Sequence, residues 1–369
     1  MSDNRSHTTP AAIPAATPAP RRAGWAGWTG YAAALWAAAY GVVALFWTIS
    51  GRGYPFGPGH AEDSPPLLRS LPAPAGAPLF ATVLLVTAVA ALAMAGRHAE
   101  TPPRPARAVL LAFGGTVAAV LLVGVPTVDV LALTGYAPML ILGAPFGRPR
   151  GVDYAAVLDW SLLNQALCLI GGYLVTFTVL SWQRRARGSC ARCGRHRDGP
   201  ARDRSRLLAL SRRATATAVV IPLLYAVSRY AWLAGVPLGI DDALLRSLWD
   251  SGGVWAGAGL ATAAVAGAAL TLGLVQRWGE VFPRWTPGLA GRRVPIKLAV
   301  IPAAYVAPIV VAAGIGIVTS PELGRLTGYS PVLLATHALW LLWGPALAFA
   351  ASCYYLRRRG ACPMCGRQG

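Results

Sequence analysis

Four of the six cysteines in this 369-residue chain fall into two matching frames. One is Cys190-Ala191-Arg192-Cys193-Gly194-Arg195, the other Cys362-Pro363-Met364-Cys365-Gly366-Arg367. Two intervening residues let both thiolates of a frame reach one ion. The glycine that follows permits a tight turn that aims backbone amides at sulfur. Two frames supply the four ligands of a tetrahedral, all-cysteine zinc site. The 168 residues between them far exceed the gap in a soluble zinc ribbon, so the remainder of the chain must bring the frames together. The competing chemistry is redox: Cys-x-x-Cys cycles between dithiol and disulfide, and neighbouring arginines lower a thiol pKa. A thioredoxin-like use needs a βαβ pattern, which the sequence lacks, and a reducing cytoplasm disfavours a standing disulfide. His196, three residues after Cys193, is a substitute ligand without a counterpart in the second frame. Cys168 and Cys353 lie inside apolar segments and read as packing residues.

A second set of polar residues falls within apolar segments. Arg229 stands in Ser228-Arg229-Tyr230, where an intramembrane arginine costs about 2.5–3.5 kcal/mol on insertion scales. His337, Asn164 and Gln165 fall at similar depth. With Asp129 or Asp159 as the partner of Arg229, they form a candidate polar layer; the alternative is an arginine that snorkels to the surface. Asp129 and Glu322 each precede the threonine of a Leu-Thr-Gly-Tyr motif by five residues. They read either as helix-end solvation or as paired carboxylates facing an outward vestibule. No Gly-rich nucleotide loop, paired-histidine haem arrangement or zinc-protease motif assigns an enzymatic activity.

The elements that must carry these residues are membrane spans. The chain is 55% hydrophobic and 13% charged, with mean hydropathy +0.49; soluble chains carry about 25% charged residues. Eight apolar blocks near the ~20 residues needed to cross the hydrocarbon lie at 27–49, 79–96, 108–126, 160–182, 214–235, 254–275, 298–318 and 332–355. The second is the shortest, and an earlier start is expected for it. Of 33 Lys and Arg, 26 fall on the side of the two termini, six on the other, and Arg229 inside a span. That asymmetry predicts cytoplasmic termini in a cell (inner or plasma) membrane. It also accounts for the net charge of +19 without a nucleic-acid partner. The partners expected are the lipid bilayer and a possible cytoplasmic protein. Residues 1–24, rich in Pro and Ala, read as a disordered cytoplasmic tail rather than a signal peptide. Segment 276–297, with its Trp, Phe and Arg, reads as an interfacial stretch.

The chain also repeats itself. Tyr40…Trp47 answers Tyr225…Trp232, Gly53-Tyr54-Pro55-Phe56-Gly57 answers Gly235-Val236-Pro237-Leu238-Gly239, and Leu133-Thr134-Gly135-Tyr136 answers Leu326-Thr327-Gly328-Tyr329. The cysteine frames complete the order. This predicts an all-α, polytopic membrane bundle of two parallel four-helix repeats, 25–198 and 199–369, related by an axis along the membrane normal. Both the Gly-x-Pro-x-Gly and the Leu-Thr-Gly-Tyr motifs read as turns on the outer face, the alternative being a site lined by four such loops.

The opening Trp28-Thr29-Gly30-Tyr31 through Phe46-Trp47 and Gly53-Tyr54-Pro55 resembles actinobacterial multi-pass membrane proteins with a four-span domain of unknown function. Arg277-Trp278-Gly279 through Phe282-Pro283, then Gly291-Arg292-Arg293-Val294-Pro295, is similar to uncharacterised actinobacterial membrane proteins. The resemblance implies lineage and no activity. The functional expectation is a permease-like or sensor-like bundle with a cytoplasmic zinc knuckle pair. The alternatives are a membrane scaffold that docks a partner through the zinc face, and a Cys-x-x-Cys-dependent oxidoreductase.

Overall fold

A computed structural model describes residues 25–58, 65, 68–96, 103–146, 159–195, 204–319 and 330–367. The fold is all-helical, and β pairing among the described residues is limited to one isolated bridge, Val281 with Arg293. In chain order the helices are α1 (Thr29–Ser50), α2 (Ala73–Ala95), α3 (Arg104–Ala119, continued by a π turn Val120–Gly124), α4 (Val128–Gly143) and α5 (Trp160–Ala186). They continue as α6 (Arg204–Leu233), α7 (Asp242–Asp250), α8 (Gly253–Leu272), α9 (Ile296–Val318), α10 (Pro331–Ala338) and α11 (Trp340–Arg358). Among the described residues eight segments are long and apolar enough to cross a membrane: α1, α2, α3 with its π turn, α5, α6, α8, α9, and α10 joined to α11. The chain is therefore an integral membrane protein of the polytopic helical class. Leu35 and Ile49 on α1, Val89 on α2 and Leu270 on α8 all point outward, as expected of helices solvated by lipid.

Two helices run past their apolar blocks. α2 begins at Ala73 rather than 79, with a proline in its first turn where the missing N–H costs nothing. α6 begins at Arg204 rather than 214, because a helix does not stop where the hydrocarbon does. The amphipathic α7 sits between the fifth and sixth spans, capped by the Asp241 carboxylate, which accepts from the Leu244 amide at 2.7 Å.

One sequence expectation is corrected. Leu133-Thr134-Gly135-Tyr136-Ala137-Pro138 is not a turn; it lies inside α4. In apolar surroundings backbone groups must bond within their own segment, so even a stretch holding Thr, Gly and Pro becomes helical. The 16 residues of α4 span only about 24 Å, less than the ~30 Å hydrocarbon. The second copy of the motif, 326–329, lies outside the described residues. The Gly-x-Pro-x-Gly motifs do form turns: Gly53, Gly57, Gly235 and Gly239 all take left-handed φ, between 78° and 101°.

Helices pack through small residues, as membrane helices do. Ala33, Ala37 and Ala44 on α1 meet Ala77, Ala81 and Ala91 on α2, all at most 3% exposed. A Cβ added at Gly30 would lie 2.7 Å from that of Ala95. The same order of pairing holds in both halves. The first span packs on the second (α1 on α2; α6 on α8), the first on the fourth (α1 on α5; α6 on α11) and the third on the fourth (α3 on α5; α9 on α11). Between the halves, α4 leans onto α8 and α9. There the Thr134 and Tyr305 hydroxyls meet at 3.2 Å, and the Tyr136 hydroxyl donates to the Ala256 carbonyl at 3.0 Å. Val130, Leu169 and Ile309 close the seam with an apolar cluster.

Candidate metal centre

Each cysteine frame follows the last turn of the fourth span of its half, α5 or α11, and folds the same way. In the first, the Gly194 amide donates to the Cys190 carbonyl at 2.7 Å and the Cys190 amide to the Arg195 carbonyl at 3.1 Å. In the second, Gly366 donates to Cys362 at 2.7 Å and Cys362 to Arg367 at 3.0 Å. Gly194 and Gly366 both sit at φ 70°, a left-handed position that a Cβ disfavours. The two knuckles thus share the same pair of hydrogen bonds and the same glycine φ.

The knuckles converge. The four sulfurs of Cys190, Cys193, Cys362 and Cys365 all lie within 4.8 Å of one another. Like faces like across the seam: Cys190 Sγ is 4.0 Å from Cys362 Sγ, and Cys193 Sγ is 3.6 Å from Cys365 Sγ. None forms a disulfide. Cys193 and Cys362 are buried and the other two partly so. These four cysteines, two from each half, can hold a metal ion.

Arginines lace the two knuckles together. Arg195 donates to the carbonyls of Arg367 and Gly360, and Arg367 returns a bond to the Arg195 carbonyl at 3.0 Å. Arg359 reaches the Cys193 carbonyl at 2.7 Å, while Arg184 holds the Arg192 carbonyl at 2.9 Å within the first knuckle. Four thiolates around a divalent ion would carry a net −2, which this ring of guanidinium groups would offset. Burial pushes the Cys193 thiol up to about 12. At Cys362 burial acts in the same sense but is outweighed by the Met364 and Cys365 amides and the neighbouring sulfurs, which hold it at about 7. His196 lies outside the described residues.

The candidate polar layer is placed as two separate groups, one per half. In the first, the Tyr40 hydroxyl donates to Asn164 Oδ1 at 2.5 Å, and Asn164 Nδ2 to the Trp160 carbonyl at 2.6 Å. Gln165 Oε1 accepts the Thr127 amide at 2.8 Å, and the Thr127 hydroxyl donates to Asp129 Oδ2 at 2.8 Å. Asp129 is thereby engaged at the start of α4, and Asp159 caps α5 by accepting from the Leu162 amide at 2.7 Å. In the second group the Arg229 guanidinium lies 3.9 Å from the Trp232 ring centre and 4.6 Å from that of Tyr225. His337 stands edge-on to Tyr225, with centroids 6.3 Å apart, and its Nδ1 lies 2.9 Å from the Leu333 carbonyl oxygen. Among the described residues no carboxylate pairs with Arg229; aromatic faces hold it instead. Glu322 lies outside the described residues.

Sequence reasoning gave no site role to the tyrosines that organise both groups or to the reciprocal arginines. Both signals were present. Tyr40 and Tyr225 open the first matched motif, and an arginine follows each Cys-Gly. Cys168 and Cys353 are buried in their helices. Segment 276–297 docks against the end of α11. There Tyr354 donates to the Gly279 carbonyl at 2.6 Å, Arg358 to those of Val294 and Glu280, and Arg357 pairs with Glu280 at 3.4 Å. No protein family, curated protein or solved structure matches this chain.

Proposed function

We propose that this protein is a permease-like or sensor-like bundle of the cell membrane, built of two parallel four-span repeats. In this reading one structural zinc ion clamps the repeats together at the cytoplasmic face. The observation that carries the reading is the convergence of four sulfurs, two from each half, within 4.8 Å. A tetrahedral ion with Zn–S near 2.3 Å needs sulfurs about 3.8 Å apart, and the cross-half pairs stand at 3.6 and 4.0 Å. An all-sulfur donor set suits zinc. Four protein ligands leave no open position, which is the mark of a structural rather than a catalytic site. The excess of Lys and Arg on the knuckle side supports a cytoplasmic placement. The shared order of helix pairing and the twin knuckles support duplication.

The role as a permease or sensor rests on the architecture of two bundles meeting at a seam, which is an argument by analogy. The metal reading is tested by elemental analysis of the detergent-purified protein beside a variant with Cys190, Cys193, Cys362 and Cys365 all changed to Ser. One zinc per chain, lost in the variant, is expected. Transport is tested with Arg229→Gln in proteoliposomes: altered flux with intact folding is expected, and unchanged flux of every solute tried would remove that role. An oxidoreductase is the second reading, favoured by the 3.6 Å approach of Cys193 and Cys365. It requires metal-free protein whose thiols oxidise pairwise.

A further inference from the structure

A groove of about 780 Å³ runs along the seam between α5 of the first half and α9 and α11 of the second. That volume lies within the ~300–1,000 Å³ range of ligand sites. Its two ends differ in chemistry. Near the knuckles it is lined by Arg184, Arg187 and Arg359, with Gln183 and Ser189 beside them. Deeper, its walls are apolar and small: Val300, Ala307, Val311, Ala348 and Ala351. Among the described residues no Asp or Glu lines it. From Arg187 to Tyr173, and from Arg359 to Gly344, the lining extends 14 and 15 residues along its helices, or about 21–22 Å. That exceeds half the ~30 Å hydrocarbon.

We propose that this groove binds one anionic phospholipid, with its phosphate between the arginines and an acyl chain along the apolar wall. The forked donors of Arg184 and Arg187 match phosphate oxygens, and among the described residues no carboxylate lines the groove beside them. The apolar depth argues against a hydrated solute, because the hydroxyls there, Tyr173 and Ser352, already donate to the Ala304 and Ala348 carbonyls and little else replaces lost water. An acyl chain has nothing to lose there. Arg184 and Arg359 also bond knuckle carbonyls. Arg187 is exposed and makes no bond to the described part of either knuckle, so it separates a lipid role from a purely structural one. The inference goes beyond the reading above and needs neither solute transport nor bound zinc.

The test is native mass spectrometry of the full-length protein released from detergent after exposure to phosphatidylglycerol, phosphatidylcholine or inorganic phosphate. One retained phosphatidylglycerol per chain is expected, with phosphatidylcholine, whose trimethylammonium group would stand against the arginines, retained about tenfold less, the size of one charge contact. Arg187→Gln should lower phosphatidylglycerol retention about tenfold on the same argument. Ala348→Trp should block retention of both lipids by filling the wall. Metal content and elution profile, measured on the same samples, should stay at wild-type values in both variants, so failure here is distinguishable from failure of the zinc clamp. Equal retention of the two lipids, or unchanged retention in Arg187→Gln, would overturn the proposal. Displacement of phosphatidylglycerol by millimolar phosphate would overturn it too, showing a soluble-anion site in which the acyl chain plays no part.

Discussion

The two ends of this bundle treat their paired residues differently. At the knuckle end the halves are near copies: the same turn, the same glycine φ of 70°, and hydrogen bonds that agree within 0.1 Å, at 2.7 and 2.7 Å and at 3.1 and 3.0 Å. At the opposite end the matched tyrosines have parted company. Tyr40 is buried and bonded to Asn164, which in turn donates to the Trp160 carbonyl. Tyr225 instead offers its ring face to Arg229 and its edge space to His337. The contrast follows from chemistry. Four sulfurs around one point tolerate no difference between contributors, because each must reach the same centre. A tyrosine in a helix bundle has no such obligation, so one copy serves packing and the other is free to hold a charge.

The sharpest way to break that comparison is at sulfur. Cys193→Ser and Cys365→Ser should weaken metal binding equally, by more than the ~10–100-fold typical of outer-shell losses. Competition with a chromogenic chelator would read this, and unequal losses would mean that the knuckles do not share one ion. At the opposite end the paired substitutions should diverge. Tyr40→Phe leaves Asn164 Oδ1 without its partner and should cost about 1–3 kcal/mol. Tyr225→Phe keeps both ring contacts and should fall within about 0.5 kcal/mol of wild type. Steric-trap or SDS unfolding of the two variants would measure the gap. Gly194→Ala and Gly366→Ala should each cost about 1–2 kcal/mol through the left-handed backbone, with Gly194→Ala the costlier in the same assay, because its Cβ would meet Arg184 Nε at 3.1 Å whereas Gly366 faces open space. Apart from Tyr225→Phe, the smallest effect is expected for Arg229→Lys, which exchanges a stacked plane for a point charge. A loss of about 0.5–2 kcal/mol is expected, seen as a change in Trp232 fluorescence as much as in stability.

The spans were legible because the bilayer imposes length and composition together, and the cysteine frames because ligand spacing is local. Convergence of the frames was legible only through the repeat, which placed α5 and α11 in equivalent positions. α4 was not legible. It is too short to cross, and Thr134, Gly135 and Pro138 are turn formers in water. Only its setting against α8 and α9, where backbone polar groups find no solvent, makes it helical. The Arg229 environment was half legible. The charge inside a span announced an interior partner, but the sequence pointed to carboxylates. Instead the rings of Tyr225 and Trp232, four residues before and three after it on the same helix, stack on the guanidinium at 4.6 and 3.9 Å, and its buried Nη1 has no hydrogen-bond partner among the described residues.

The like-to-like pairing of the sulfurs has a consequence in time. Cys190 and Cys362 are 172 residues apart, which at about 5–20 residues per second is about 10–35 s of synthesis. For that interval a growing chain carries half a site, and any neighbour at the same stage carries the identical half. Because the finished centre sets each cysteine against its own counterpart, two unfinished chains hold the same four donors as one complete chain. What favours closure at home is the tether: a partner on the same chain is present at millimolar effective concentration, whereas a partner on another ribosome must first be met by diffusion in the membrane.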